Sequence, residues 1–143
     1  MGLSKSNSFF CLIRQIEVSA SPEEAVRQRL IHHMIGPLGF PRGSLAVEKN
    51  LFPFDLERRV DLVCFHTIKD LIKPLLLVEC KASSLSLQAE NQLFGYNRQI
   101  QAPFLCLAGG AAIKTLWQEQ GGVRSVPFLP SYEQLIEKYT HLL

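Results

Sequence analysis

Two carboxylates and a lysine stand within or at the end of apolar segments, where charged side chains are uncommon. Asp61 lies in the run Arg59–Phe65, and Glu79 and Lys81 end a second apolar run. Both runs are short and rich in Val, Leu and Phe, which is typical of β-strands. A hairpin folded about Asp70 places Asp61 opposite Glu79, with Cβ atoms roughly 5 Å apart. Because side chains alternate along a strand, Lys81 is expected on the face of Glu79.

This arrangement predicts a divalent metal site. Two facing carboxylates repel each other unless a cation lies between them, and carboxylate oxygens are hard ligands that suit Mg²⁺ or Mn²⁺. The Lys81 ammonium could orient or deprotonate a water molecule, or offset charge on a phosphate in the transition state. The alternative is a surface ion-pair cluster at a strand end. Burial of charge after an apolar strand is costly without a partner or a task, which favours the functional interpretation.

Composition predicts one compact domain with enough length for a core. The chain has 143 residues, 47% of them hydrophobic and 20% charged. We expect residues 1–20 to form an N-terminal tail and an edge strand, and residues 21–143 to form the domain. A net charge of +2 permits nucleic-acid binding, although no strongly basic stripe is present. No apolar run reaches the roughly 18 residues of a membrane span, so no membrane association is predicted.

The cysteines carry no sign of metal or disulfide chemistry. All four lie in apolar segments without C-x-x-C or Cys/His spacing, and they are Cys11, Cys64, Cys80 and Cys106. We interpret them as reduced core residues of a cytoplasmic protein.

A first helix is predicted to begin at Pro22. Ser21 is a good N-cap, Pro22 suits the first helical position, and Glu24 completes a capping box. The pair Gly36–Pro37 ends the helix. Glu24 can act as a cap, as a metal ligand at the helix start, or as both. Arg27 can be a solvated helix charge or a clamp for a phosphate or carboxylate.

A second helix is predicted over Ser86–Gln99, with Ser83 or Ser84 as its cap. Gln92 and Tyr96 are four residues apart and therefore share a helix face. Such a pair is either ordinary helix surface or the lining of a substrate path.

The other elements are less distinctive. A strand at Leu45–Val47 precedes a loop at Asn50–Glu57, and the segment His66–Pro74 is expected to turn. The later segments predict a buried strand, a hairpin of two strands and a final helix, at Ala102–Leu107, Ile113–Trp117, Val123–Phe128 and Tyr132–His141.

Taken together, the ordered residues resemble the PD-(D/E)xK nuclease superfamily. They are most similar to the N-terminal nuclease domain of type I restriction enzyme R subunits. The resemblance covers roughly Ser21 to Gly110, and the segments that carry it are Pro22–Gln28, Val47–Lys49, Arg59–Asp61, Leu77–Ala82 and Gln92–Asn97. It implies an α/β fold with a restriction-endonuclease-like core, in which helices flank a central mixed β-sheet of four to five strands.

The resemblance also implies roles for individual residues. Asp61 and Glu79 would bind Mg²⁺ or Mn²⁺, Lys81 would assist the attacking water, and Glu24 would support the metal from the first helix. The remaining implied residues belong to a helical motif associated with nuclease activity and DNA handling, and they are Gln92 and Tyr96.

Two features depart from the family pattern. Val60 replaces the proline of the motif name, which is not a ligand. A type I R subunit continues into a helicase motor, but this sequence contains no G-x-x-x-x-G-K-[ST] phosphate loop.

The predicted function is that of a metal-dependent endonuclease domain that hydrolyses DNA phosphodiester bonds. A partner subunit could supply specificity or a motor, and a homodimer is also compatible with the sequence. The alternative from another class is a non-catalytic nucleic-acid or protein-binding module that keeps the nuclease fold. A third is a soluble domain with an incidental charged strand end.

Overall fold

A computed structural model describes residues 8–51 and 55–142, and it describes the side chains of residues 8–47 and 60–142. Eight strands and three helices follow one another along the chain, at β1 Ser8–Cys11, β2 Ile16–Ser19, α1 Pro22–Ile35, β3 Leu45–Leu51, β4 Asp55–Ile68, β5 Leu71–Cys80, α2 Leu87–Ile100, β6 Phe104–Ala108, β7 Ile113–Glu119, β8 Gly122–Val126 and α3 Tyr132–Leu142. Strands β3 to β8 form one six-stranded sheet in chain order. The predicted α/β class with a mixed central sheet is therefore confirmed, but the sheet has more than the four to five strands expected.

The centre of the sheet is the parallel pair of β5 and β6, while its other neighbouring strands are antiparallel. Two parallel neighbours need a long crossover, and α2 is part of it. Every residue of β6 and the last six residues of β5 are buried. Burial on both faces explains why these strands read as uninterrupted apolar runs rather than as alternating patterns.

Helices cover both faces of the sheet. On one face, α1 and α3 pack with β-strand residues into one core cluster, which includes Ile31, Met34, Leu76 and Leu135. On the other face, Leu93 of α2 packs with strand residues such as Val63, Leu77 and Leu105. All four cysteines are buried and free, as predicted. None of the helices in the described part of the chain is long and apolar enough to cross a membrane.

The predicted start and end of the first helix are confirmed. The Ser21 hydroxyl accepts a hydrogen bond from the Glu24 N–H at 3.0 Å, and Pro22 is the first helical residue. The helix ends at Gly36, whose N–H donates to the His32 carbonyl oxygen at 3.0 Å. The second helix begins close to the predicted place, but its N-cap is Ser86, which accepts from the Ala89 N–H at 3.1 Å. The prediction of Ser83 or Ser84 as the cap is therefore wrong.

The segment His66–Pro74 is mostly strand, which corrects its prediction as a turning link. Strand β4 continues to Ile68, and the turn consists of Lys69 and Asp70, both with left-handed φ values of 49° and 66°. Two consecutive left-handed residues are typical of the tight turns that match the twist of a β-hairpin. Further from the turn, the pairing of β4 with β5 shifts register between Cys64 and Phe65. Pro74, which cannot donate a backbone hydrogen bond, lies beside this irregularity.

Two further predictions about strands are wrong. The expected edge strand at the N-terminus is a separate two-stranded sheet, in which β1 and β2 pair with each other. Cys11 at the end of β1 is fully buried in the core cluster that contains α1. The expected loop at Asn50–Glu57 is largely strand, because β3 extends to Leu51 and β4 begins at Asp55. Residues 1–7 of the predicted tail, residues 52–54 of this loop, and the side chains of Glu48 and Lys49 lie outside the described residues.

We expect His66 to make the stability of this fold depend on pH. The side chain is buried on β4, its Nε2 atom has no hydrogen-bond partner among the side chains and backbone that the structure describes, and its ring packs edge-on against Tyr139 of α3. Burial, with a smaller effect of the nearby Lys73 charge, lowers the pKa of His66 below its usual value. The stability that depends on neutral His66 is therefore complete above about pH 6.5, the usual pKa in an unfolded chain. It is lost as the pH falls through the lower pKa of the folded state.

Urea unfolding of wild-type protein and of His66→Phe at several values between about pH 7.5 and pH 5 would measure this effect. The wild type should lose stability towards low pH more steeply than the variant. Lys73→Gln should lie between them, because it removes one charge that opposes protonation. Parallel pH profiles for all three proteins would contradict the assignment to His66.

Candidate active site

The predicted triad lies at the carboxyl end of β5. Leu62 of β4 pairs with Val78 of β5, so that Asp61 and Glu79 are the next opposed positions along the two strands. The Asp61 Oδ2 atom accepts a hydrogen bond from the Cys80 N–H at 2.6 Å, which ties the Asp61 side chain to the end of β5. Sites in sheets with parallel strands commonly lie outside the carboxyl ends of those strands. Helices from both faces of the sheet reach this same end.

Glu79 is the most unusual carboxylate of the group. The residue is only 8% exposed, and its Oε1 atom has no hydrogen-bond partner among the described residues. Burial and then the negative charge of Asp61 raise the pKa of Glu79 to about 7, against the opposing effect of Lys81. Burial and the Asp61 charge both penalise the ionised form of the Glu79 carboxylate. A cation next to Asp61 and Glu79 would relieve both penalties.

Lys81 connects the end of β5 to α2. Its Nζ atom lies 3.3 Å from Glu79 Oε2 and donates to Gln92 Oε1, also at 3.3 Å. Burial alone would lower the pKa of Lys81, but the Glu79 carboxylate outweighs it and raises the pKa above its usual value. Lys81 is therefore protonated at neutral pH, and its ammonium group is positioned to donate hydrogen bonds. The Lys81 N–H extends the pairing of β5 and β6 by donating to the Ala108 carbonyl oxygen at 2.8 Å.

Arg27 of α1 joins two carboxylates. It binds Glu24 at two points, with Nη2 2.6 Å from Oε1 and Nε 3.0 Å from Oε2. Its third nitrogen, Nη1, lies 3.1 Å from Asp61 Oδ1. Of the two interpretations of Arg27 in the sequence, the carboxylate clamp is therefore the one observed. The planar guanidinium suits this role because it presents its N–H groups in a fixed fork.

The Glu24 carboxylate is buried among hydrogen-bond donors. Besides Arg27, it accepts from Gln28 Nε2 at 2.9 Å and from Arg14 Nη2 at 3.2 Å. Burial by itself raises the pKa of Glu24, but the donors, led by Arg27 and Gln28, outweigh it and hold the pKa at about 2. The spacing of Arg27 and Gln28, three and four residues after Glu24, signals a shared helix face in the sequence. Arg14 gives no such signal, because tertiary packing alone brings it from the β1–β2 hairpin.

The residues proposed to bind metal are only partly brought together. Asp61 and Glu79 are adjacent, whereas the Glu24 oxygens are engaged by its donors and Arg27 separates Glu24 from Asp61. Among the described residues, no group of three His, Cys, Asp or Glu side chains is arranged to hold a metal ion. The two adjacent carboxylates fit a divalent cation, because both supply hard oxygen ligands and one buried oxygen has no partner.

The two motif residues of α2 have different surroundings. Gln92 is exposed and its side chain reaches Lys81. Tyr96 is half-buried and packs against the core cluster on the α2 side of the sheet. The predicted shared helix face thus places Gln92 at the site and gives Tyr96 a packing role as well.

We expect the Arg27 ion pairs to contribute strongly to stability. Arg27→Gln leaves the buried Glu24 with only Gln28 and Arg14, and loss of one partner of a buried ion pair typically costs about 3–5 kcal/mol. The remaining donors favour the lower end, about 3 kcal/mol. Arg29→Gln is the matched control, since Arg29 is exposed two residues further along α1 and should change stability by less than about 0.5 kcal/mol. Equal free energies of unfolding for both variants in urea would contradict this interpretation.

The sequence of the chain matches one family of known proteins. The family model described as type I restriction enzyme R protein N terminus (HSDR_N) matches residues 22–130. None of the curated proteins matches the chain significantly.

Among solved structures, the chain is similar to a fragment assigned as an HsdR subunit of a type I restriction enzyme from Vibrio vulnificus YJ016, with a TM-score of 0.56 and 15% sequence identity. The alignment covers 82% of this chain and 25% of the other, so this chain spans about a quarter of that protein's length. At this level of identity the structural likeness concerns the fold. The family match spans most of the chain and includes every residue of the predicted triad. The chain therefore belongs to the family of type I restriction enzyme R protein N-terminal domains.

Proposed function

We propose that this domain hydrolyses DNA phosphodiester bonds with a divalent metal ion, Mg²⁺ or Mn²⁺, held by Asp61 and Glu79. The observation that carries the proposal is the buried Glu79 Oε1 atom, which has no partner in the described part of the chain and lies in a carboxylate whose pKa is raised to about 7 by burial and by Asp61. Perturbed carboxylates with unsatisfied oxygens cluster at functional sites. A divalent ion between Asp61 and Glu79 would give this atom a partner and offset both effects on the pKa.

The residues around the two carboxylates have separate roles in the proposed reaction. A bound divalent ion would supply polarisation of the phosphate and activation of a water molecule. Lys81, held between Glu79 and Gln92, donates hydrogen bonds and can orient that water or stabilise charge on a phosphate oxygen. Gln92 positions the Lys81 ammonium. Glu24 acts from a distance, because its carboxylate reaches Asp61 through Arg27.

The proposed partners follow from the family. The matching family is described as the N terminus of a type I restriction enzyme R protein, and the similar solved structure is assigned to the HsdR subunit of such an enzyme. We therefore propose DNA as the substrate and further subunits as the source of specificity or of a motor, with a homodimer as a separate arrangement. A location in the cytoplasm, where thiols stay reduced, suits the four free cysteines.

One observation favours a non-catalytic binding module instead. Arg27 already neutralises Asp61 at 3.1 Å, as expected where a charged residue is retained only for structure. In that case the domain would bind DNA or a protein partner without cleaving DNA. The two functions differ in whether a divalent ion binds and whether DNA is cut.

Metal binding tests the carboxylate pair directly. Calorimetric titration of wild-type protein with Mn²⁺ should show one site per chain, and Asp61→Asn should abolish the heat of binding because it removes one of two charged ligands. Asp70→Asn is the matched control, since it makes the same charge change at the exposed hairpin turn. Equal binding by all three proteins would move the metal site elsewhere.

The role of Lys81 is tested by cleavage of plasmid DNA. Lys81→Ala should lose about 10²-fold or more in rate, as expected when a preorganised hydrogen-bond donor to the developing charge is removed. Mn²⁺ affinity should be at least that of wild type, because the variant loses only a positive charge. Lys73→Ala, on the exposed part of the same strand, should cleave normally. Normal cleavage by Lys81→Ala would remove this residue from the mechanism.

The motif residues of α2 are tested with substitutions matched to their burial. Gln92→Ala should reduce cleavage without lowering the melting temperature, whereas Gln99→Ala, exposed on the same helix, should change neither. Tyr96→Phe keeps the ring that packs on the core and removes only the hydroxyl. Reduced cleavage by this variant at unchanged stability would support a role on the DNA path. Unchanged cleavage would assign Tyr96 to packing.

A further inference from the structure

Arg27 is the only side chain of α1 with a described contact to the proposed metal ligands. Two of its nitrogens bind Glu24, which also binds Gln28 and Arg14. These contacts hold the guanidinium in place independently of Asp61. The third nitrogen then contacts Asp61 Oδ1, while the backbone N–H of Cys80 holds Oδ2. Each oxygen of Asp61 therefore has one donor from a different element. This arrangement defines the plane of the carboxylate.

Among the described side chains, the ion pairs of the site balance without a metal. Three cationic side chains, Arg14, Arg27 and Lys81, face three carboxylates in direct ion pairs, which are those of Glu24, Asp61 and Glu79. A divalent ion added to this neutral group would leave an excess of positive charge. A phosphate of the substrate is the natural source of the missing negative charge.

We infer that Arg27 is a positioning residue that orients Asp61 and lowers its affinity for a divalent ion, so that tight metal binding requires a DNA phosphate as well. This inference rests on the proposed function, because it assigns Asp61 to the metal. It differs from a purely structural role for Arg27 in one respect. Neutralisation of Arg27 should strengthen metal binding in the absence of DNA, whereas damage to the fold would weaken it.

The test measures Mn²⁺ binding by calorimetry, with and without a short duplex whose phosphorothioate linkages resist cleavage. Arg27→Gln removes the charge, Arg27→Lys keeps it, and Arg29→Gln repeats the charge change at an exposed position on the same helix. The double variant Glu24→Gln/Arg27→Gln leaves no unpaired buried charge on α1, and it is compared with Glu24→Gln. This pair keeps the test informative if Arg27→Gln alone does not fold.

Without DNA, Arg27→Gln should bind Mn²⁺ about tenfold more tightly than wild type, because one cationic neighbour of the ligand is gone. Arg27→Lys and Arg29→Gln should remain within about threefold of wild type. The double variant should likewise bind more tightly than Glu24→Gln. Addition of the duplex should strengthen Mn²⁺ binding by wild type about tenfold and by Arg27→Gln much less, because coupling between two ligands is reciprocal.

Cleavage of unmodified DNA separates this inference from the proposed function. Arg27→Gln should cut more slowly despite its tighter metal binding, by about 10²-fold if Asp61 is displaced by an ångström. Wild-type protein that binds Mn²⁺ as described but cuts no DNA would contradict the proposed function and leave the inference supported. The inference alone would be overturned by a different result, in which wild type cuts DNA but neither variant without the Arg27 charge binds Mn²⁺ more tightly than its reference. The reference is wild type for Arg27→Gln and Glu24→Gln for the double variant. Absence of Mn²⁺ binding in every folded variant would overturn both.

Discussion

Burial of Glu79 beside Asp61 is the constraint around which this domain is arranged. Glu79 is the next-to-last residue of a strand whose last six residues are buried, and no polar group of the described residues pairs with Glu79 Oε1. An ionised carboxylate in this position is unfavourable, as its raised pKa shows. Lys81 compensates part of that cost from the same strand. The Oε1 atom that remains without a partner among the described residues is what makes this end of the sheet suited to a cation.

The second carboxylate is stabilised quite differently. Asp61 receives a backbone donor from β5 and a guanidinium from α1, so it is bound on both oxygens. The contrast between the two carboxylates is physical: one is satisfied and oriented, and the other is desolvated and incomplete. Their proximity depends on the β4–β5 register, and the orientation of Asp61 depends on a helix from the other side of the sheet. Neither element alone would create the site.

The ion pairs of α1 show how a helix terminus can bury charge and also hold a side chain of the sheet in place. Ser21 caps the helix through the backbone of Glu24, which leaves the Glu24 carboxylate available for Arg27, Gln28 and Arg14. Burial of such a group is favourable only because every donor is in place. The same network transmits the position of α1 to Asp61. Glu24, which the sequence suggests as a cap or a ligand, therefore supports Arg27 and through it the position of Asp61.

The sequence by itself determined the elements whose causes are local. Ser21 and Pro22 define the start of α1, the apolar runs define β5 and β6, and the spacing of Asp61, Glu79 and Lys81 about a turn near Asp70 placed the carboxylates face to face. Tertiary structure decided what depends on distant groups: the bulge near Pro74, the six-stranded extent of the sheet, the hairpin β1–β2, and the contact of Arg14 with Glu24. The physical reason is that the ends of strands and the partners of ion pairs depend on the elements that pack beside them. A polar segment such as His66–Pro74 becomes strand because its two halves pair with each other across the turn and extend the pairing of β4 with β5. A buried guanidinium selects its carboxylates only when both are desolvated together.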